Sequence, residues 1–165
     1  MNVLHNSLDL TSTSHKTYNA EGDHARFRDA IQFAVDKFLS LTSIANLKRI
    51  GLRYIDECPL PEDLEVFKNW YNSVFPTERF HLNAAQELTF IARTHREEGK
   101  FLRFQESYKM EDEGVKYTLD FDGYAENVPA ESYLDITDGL HDFIHQEWKT
   151  VLREPVLQVM RQPKR

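Results

Sequence analysis

Three consecutive alternating segments near the middle of the chain constrain its fold more than any other feature. They run from Gln86 to Thr94, from Lys100 to Tyr108 and from Val115 to Tyr124. The links between them are short and polar, and each contains a glycine, which is typical of β-hairpins. The pattern therefore predicts an antiparallel meander of three strands.

Two more strands are predicted upstream. Leu8–Thr11 alternates and predicts a short first strand, and Leu47–Ile55 alternates over a longer run. Alternate residues of a strand point to opposite faces of the sheet. In the longer strand the apolar face is formed by Ile50, Leu52 and Tyr54. The opposite face is formed by Arg49, Gly51, Arg53 and Ile55.

Three segments have apolar residues at helical spacing. The first helix is predicted over Asp23–Ser40, with Asp23 as its N-cap. The second is predicted over Pro61–Phe75, with Pro61 in its first turn. The third is predicted over Ser132–Arg153, and Pro155 is expected to end it.

The predicted order β-α-β-α-β-β-β-α indicates an α+β fold. We expect a mainly antiparallel sheet of about five strands with helices packed on one face. The 165 residues suit a single domain, 1–165. Its ordered core is predicted at about 7–157, with a basic C-terminal tail at 158–165.

Composition excludes several classes of protein. The chain is 41% apolar and 12% aromatic with 6 Gly and 6 Pro, which is unlike a disordered or a collagen-like chain. Its 27 acidic and 20 basic residues give a net charge of −7, which disfavours a nucleic-acid coat protein.

The sequence is expected to belong to a cytoplasmic protein. It begins without the basic and apolar pattern of a signal peptide, and it contains no run of about 18 apolar residues that would indicate a membrane span. Cys58 is its one cysteine and follows Glu57. An acidic neighbour should raise the pKa of the thiol and keep it protonated, so Cys58 is not expected to be a nucleophile.

Charged residues are predicted to gather on one face of the sheet. In the strand Val115–Tyr124, Asp120 and Asp122 point away from the apolar residues, as Arg49 and Arg53 do in the earlier strand. One interpretation is cross-strand ion pairing between these four residues. The other is a polar surface in which the same four residues bind an anionic ligand or a cation.

The third helix carries two histidines four residues apart, His141 and His145, with Asp138 one turn upstream. Such a pair projects from one helix face and can ligate zinc. However, Asp142 stands where a zincin would have glutamate, and no third ligand is identifiable. Packed or half-exposed histidines are therefore the favoured interpretation, and neither a metal nor a cofactor is predicted.

Two further patterns leave alternatives open. The acidic run Glu111–Glu113, extended by Asp120, Asp122 and Glu126, could attract a basic partner or mimic phosphates, although a charge run in a hairpin is commonly solvated. The run Lys100–Phe104 interleaves aromatic and basic residues and could stack on single-stranded nucleic acid. Alternation places Phe101 and Phe104 on opposite faces, and a sheet covered on one side and partly covered on the other would explain both.

Several motifs resemble a sporadically distributed prokaryotic family of uncharacterised proteins. The run R-I-G-L-R-Y-I at Arg49–Ile55 is similar to the family's signature strand, and Tyr117–Asp122 to its late strand. The dipeptide Leu140–His141, followed by Trp148, resembles its closing helix. Tyr18 and Phe27 correspond to aromatic positions of the family.

The resemblance implies no assigned activity, substrate or catalytic residue. The family's patchy distribution suggests an accessory role in defence or mobile-element biology. The chain resembles the C-terminal part of the family, so we expect either a trimmed relative or a partner that supplies the remaining half.

Three functions stay open at this point. The first is a non-enzymatic protein-binding or regulatory protein with a protein partner or a second copy of itself. The second is a ligand-binding domain or enzyme in which Arg49 and Arg53 hold an anion, and Asp120, Asp122 or His141 transfers a proton or binds a cation. The third is nucleic-acid binding through a local basic patch.

Overall fold

The fold is organised around one antiparallel sheet flanked by helices, an α+β architecture as predicted. The computed structural model describes residues 2–4, 7–15, 17–19, 25–96 and 99–161. The strands are β1 (Asn2–Leu4), β2 (Ser7–Asp9), β3 (Asn46–Cys58), β4 (Glu87–His95), β5 (Lys100–Glu111) and β6 (Gly114–Pro129). The helices are α1 (Phe27–Leu41), α2 (Phe67–Trp70), α3 (Tyr133–Val151) and α4 (Glu154–Arg161). Short 3-10 turns occupy Leu64–Val66, Leu82–Ala84 and Ala130–Ser132.

The main sheet has the strand order β3–β6–β5–β4, and all neighbouring strands are antiparallel. The predicted meander is confirmed as β4–β5–β6. At its two hairpin links Gly99 and Gly114 have φ of 73° and 126°, which glycine adopts without a steric cost. β3 pairs with the far side of β6, so β3 and β4 form the two edges of the sheet.

One face of the sheet is covered by α3 and forms the core. The buried strand residues on this face include Leu52, Leu102, Tyr117, Leu119 and Phe121. The helix crosses β6 at Gly123, where a Cβ would lie 2.9 Å from Cγ1 of Ile144. Only glycine permits this approach, which explains why the helix packs so closely at that point.

Helix α1 lies beside α3 and is joined to it by side-chain hydrogen bonds. The Tyr133 hydroxyl donates to Asp36 at 2.7 Å, and Arg28 binds Asp138. Within the described residues α1 begins at Phe27, later than predicted. The predicted N-cap Asp23 lies outside the described residues.

The main sheet has four strands rather than about five. The predicted first strand corresponds to β2, which pairs with β1 and not with the main sheet. The alternation of Leu8–Thr11 was a correct signal for a strand, but it did not specify a partner.

The predicted second helix over Pro61–Phe75 is wrong for most of its length. Only Phe67–Trp70 is α-helical, after one 3-10 turn. Beyond it the chain is extended, because Tyr71 forms a β-bridge with Leu152 and the Val74 N–H binds Glu106. These contacts join residues that are distant in sequence, so the local apolar spacing could not reveal them.

The third helix ends at Val151, close to the predicted end. Pro155 does not stop helical structure altogether, because it lies in the first turn of α4, where a proline needs no N–H partner. α4 buries Val156 and extends through Arg161, into the region predicted as a tail. Residues 162–165 of that tail lie outside the described residues.

Candidate functional site

The four predicted ligand-binding residues come together as two ion pairs. Arg53 donates to both oxygens of Asp120, at 2.8 and 2.7 Å. Nη2 of Arg49 donates to both oxygens of Asp122 at 2.9 Å. We call this side of the sheet the polar face. It has the cross-strand ion pairing expected from alternation, and a ligand-binding role for these residues stays a prediction.

Sequence reasoning missed Arg103 as a third cation of the polar face. Its Nη1 donates to Asp120 at 3.0 Å, and its Nη2 donates to Gln105 at 2.6 Å. Asp120 is only 4% exposed and lies between two guanidinium groups. The signal was present in the alternation of β5, where Arg103 and Gln105 share one face, but the register with β6 was unknown.

The aromatic residues of β5 are divided between the two faces of the sheet, as alternation predicts. Phe101 stacks on Tyr124 with ring centroids 5.1 Å apart, and Arg49 lies over the same Tyr124 ring at 4.4 Å. Phe104 packs against Phe121 in the core at 5.0 Å. The two phenylalanines therefore do not form a common stacking surface.

The acidic run is located at the β5–β6 hairpin. Asp112 and Glu113 are exposed there, and Glu111 forms an ion pair of 2.6 Å with Lys116. Asp120 is buried at the centre of the sheet instead of continuing this surface. The run therefore forms a charged hairpin tip.

A large cleft lies between α1, the N-terminal segment and the outer edge of β3. We call this space the β3 cleft; it encloses about 1990 Å³. Every residue of β3 from Asn46 to Asp56 lines it. The apolar side chains that α1 contributes are Phe27, Ile31, Val35, Phe38 and Leu39. Sequence reasoning predicted an open sheet edge but not this cleft, because α1 and β3 meet only in the tertiary structure.

His141 lies at the wall of the β3 cleft and is held by two tyrosines. Its Nδ1 is hydrogen-bonded to the Tyr54 hydroxyl at 3.0 Å, and its ring stacks on Tyr18 with centroids 4.4 Å apart. Burial lowers the pKa of His141, so the imidazole is uncharged at neutral pH. These contacts are those of a packed histidine, and a proton-transfer role for His141 stays a prediction.

Asp138 forms its hydrogen bonds with Tyr18 and Arg28. The Tyr18 hydroxyl donates to it at 2.8 Å, and Arg28 donates to both of its oxygens. The hydrogen bonds from Arg28 hold the pKa of Asp138 below its ordinary value. His145 is exposed and stacks between His141 and Trp148. Among the described side chains, no group of three or more His, Cys, Asp or Glu is arranged to hold a metal ion.

Asp56 is a partly buried carboxylate that sequence reasoning also missed. It lies on β3, lines the β3 cleft and forms a hydrogen bond with Trp148. Burial raises the pKa of Asp56 above its ordinary value. Within the described part of the chain no Lys, Arg or His pairs with this carboxylate. Lys48, on the same strand, is exposed and likewise has no acidic partner there.

Cys58 ends β3 and is buried, with 5% of its surface exposed. Burial, more than the neighbouring Asp56 and Glu57, raises the pKa of its thiol to about 12. The thiol is therefore protonated at neutral pH, as predicted, although burial and not the acidic sequence is the main cause.

No family model, no curated protein and no solved structure matches this chain. Along the described ranges, no helix is both long enough and apolar enough to cross a membrane. The site is therefore interpreted from its geometry and chemistry.

Proposed function

We propose that this protein is a non-enzymatic binding or regulatory protein that takes up an extended protein segment as an added strand on β3. The observation that supports this proposal is the position of β3: it pairs with β6 on one side, and its other side borders the β3 cleft. An accessory role in prokaryotic defence or mobile-element biology belongs to the same proposal and rests only on the resemblance of β3 and β6 to that family.

The dimensions of the β3 cleft suit an added strand. Residues Asn46–Asp56 line it without interruption, and at about 3.3 Å per residue this edge is roughly 36 Å long. In strand addition the free backbone groups of an edge supply hydrogen bonds, and neighbouring pockets take alternate side chains. The apolar stripe of α1 provides such a surface along one side of the edge.

The charges of the polar face support binding at the edge instead of at the centre of the sheet. Arg49 and Arg53 are already bound to carboxylates, so an incoming anion would have to displace Asp122 or Asp120. A strand that adds to β3 would leave both ion pairs in place.

Two matched substitutions test the proposal, because both edges of the sheet carry an exposed isoleucine. Ile55 on β3 is 59% exposed and Ile91 on β4 is 47% exposed. We expect Ile55→Lys and Ile91→Lys to fold normally, since neither side chain belongs to the core. A charge on an edge strand opposes pairing at that edge.

The probe is a set of 12-residue peptides selected from a random display library against the wild-type chain. We expect Ile55→Lys to weaken their binding by about tenfold or more and Ile91→Lys to leave it within about twofold. In hydrogen exchange, bound peptide should protect amides of β3 and not those of β4. Equal effects of the two substitutions or protection confined to β4 would contradict the proposal, and so would failure to select any peptide against a chain that is a monomer in solution.

A further inference from the structure

We propose that the occupant of the β3 cleft is β3 of a second copy of this chain, which joins two four-stranded sheets into one of eight strands. This inference rests on the proposed function because it uses the same edge and the same cleft. It adds the identity of the partner and the register of the pairing.

The centred antiparallel register pairs all 13 residues of β3, Asn46–Cys58, and places Leu52 opposite its own copy. In this register Lys48 lies opposite the second copy's Asp56. Ile50 lies opposite the second copy's Tyr54. These residues all belong to the side of β3 that faces α3, because they share the alternation of the buried Leu52. A two-fold axis then creates two Lys48–Asp56 pairs in each dimer.

The neighbouring registers are disfavoured by charge. A shift of two residues in one direction places Arg49 opposite the second copy's Arg53, and the same shift in the other direction places Arg53 opposite its own copy. Like charges directly opposite each other destabilise strand pairing. A shift of one residue would place the apolar side chains of the two copies on opposite faces. Of the three registers that keep the apolar side chains on one face, the centred register has the greatest overlap and is the one without a like-charge pair.

Asp56 and Lys48 provide a second, independent reason. Within the described part of the single chain the half-buried Asp56 carboxylate has no cation beside it, and Lys48 has no anion. Burial of an unpaired carboxylate is costly, and the cost is visible in its raised pKa. The second copy would supply the missing charge at both positions.

The centred register is compatible with the ion pair between Arg53 and Asp120 on the polar face. In the centred register Gly51 lies opposite the second copy's Arg53. The Arg53 guanidinium binds Asp120 of β6, on the side of β3 away from the added strand, so its bonds to Asp120 are preserved.

The test is a charge exchange measured by sedimentation equilibrium. We expect the wild-type chain, of 19.4 kDa, to form a dimer of twice that mass. Lys48→Glu and Asp56→Lys should each raise the dimer dissociation constant by about tenfold or more, because each replaces two attractive pairs by two repulsive ones. An equimolar mixture of the two variants should dimerise again, since a mixed dimer has opposite charges at both pairs. Lys109→Glu, at an exposed lysine on β5, is the control and should dimerise as the wild type does.

The outcomes separate this inference from the proposed function. A wild-type chain that remains a monomer up to about 1 mM, yet binds selected peptides through Ile55, would overturn the inference and leave the proposed function standing. A dimer that neither variant weakens, or that mixing fails to restore, would also overturn it. If Asp56→Lys does not fold, Lys48→Ala replaces it: the dissociation constant should then rise in the order wild type, Lys48→Ala, Lys48→Glu, and any other order contradicts the pairing.

Discussion

Replacing Glu106 by alanine tests whether one buried carboxylate holds the extended segment between α2 and β4. Glu106 is 0% exposed. It accepts hydrogen bonds from the Ser73 hydroxyl, from the Val74 N–H at 3.0 Å and from the Tyr117 hydroxyl at 2.9 Å. The carboxylate thus connects the irregular segment to β5 and β6.

Glu106→Ala leaves these three donors without their acceptor. A buried donor without a partner costs about 1–3 kcal/mol, and part of that cost is recovered where the segment moves into water. We therefore expect the free energy of unfolding to fall by about 3–5 kcal/mol, which is less than the full cost of three such donors together.

Urea denaturation at pH 7, followed by tryptophan fluorescence, measures this loss. Glu87→Ala is the matched control, since Glu87 is exposed on β4 and its removal should change stability by less than about 0.5 kcal/mol. Hydrogen exchange should show the amide of Val74 losing protection in Glu106→Ala before the amides of β6 do. A loss no larger than that of Glu87→Ala would refute the structural role of the carboxylate.

The same residue predicts a pH dependence with a definite sign. Burial raises the pKa of Glu106 above its ordinary value of 4.5, and the three donors offset only part of that effect. The folded chain therefore holds this proton more tightly than the unfolded chain does. The stability that protonated Glu106 contributes is complete below the pKa of Glu106 in the unfolded chain. It is lost as the pH rises through the pKa of Glu106 in the folded chain. Glu106→Gln does not titrate, so the wild type should lose stability relative to Glu106→Gln as the pH rises above 4.5. A stability difference that stays constant with pH would contradict the raised pKa.

Two further predictions concern the core. Gly123→Ala places a methyl group within 2.9 Å of Ile144 and should lower the free energy of unfolding by about 1–3 kcal/mol, measured by urea denaturation. Ile144→Val in the same chain should recover part of that loss. Strict additivity of the two substitutions' effects on stability would argue against the contact. Cys58 is buried and its thiol has a pKa of about 12. It should therefore react with a thiol-specific reagent at pH 8 only as fast as the chain unfolds. Labelling of the folded chain at the rate of the denatured protein would contradict this burial.

The strands were predictable because their signals are local. Alternation along β3 and β6 correctly assigned Leu52 and Leu119 to the buried face and Arg53 to the polar face, and a glycine lies at each hairpin link. The segment after Trp70 was not predictable in the same way. Its apolar spacing is helical, but the bridge from Tyr71 to Leu152 and the bonds to Glu106 outweigh local propensity.

The candidate site was predictable by residue type and face but not by partner. Strand alternation places Arg49, Arg53, Asp120 and Asp122 on one face without any knowledge of register. The diagonal bond of Arg53 to Asp120 and the second bond from Arg103 depend on how β3, β5 and β6 align. That alignment is set by the β5–β6 hairpin and by the pairing of β3 with β6, from Cys58 with Tyr117 to Asn46 with Pro129, and neither is encoded in a single segment.

The order of basic and acidic residues along β3 can be interpreted only once β3 is known to be an edge strand. In the middle of a sheet, basic residues near the start of a strand and acidic residues near its end would pair with two different neighbours. At an edge the same order is complementary to itself, because antiparallel pairing of two copies brings Lys48 to Asp56. Arg49 and Arg53 are neutralised within the chain by β6, whereas Lys48 and Asp56 lack a partner of opposite charge among the described residues. On β3, Arg49 and Arg53 therefore stabilise the sheet, whereas Lys48 and Asp56 remain available at the open edge. A charge reversal at Lys48 or Asp56 should change binding without changing the fold.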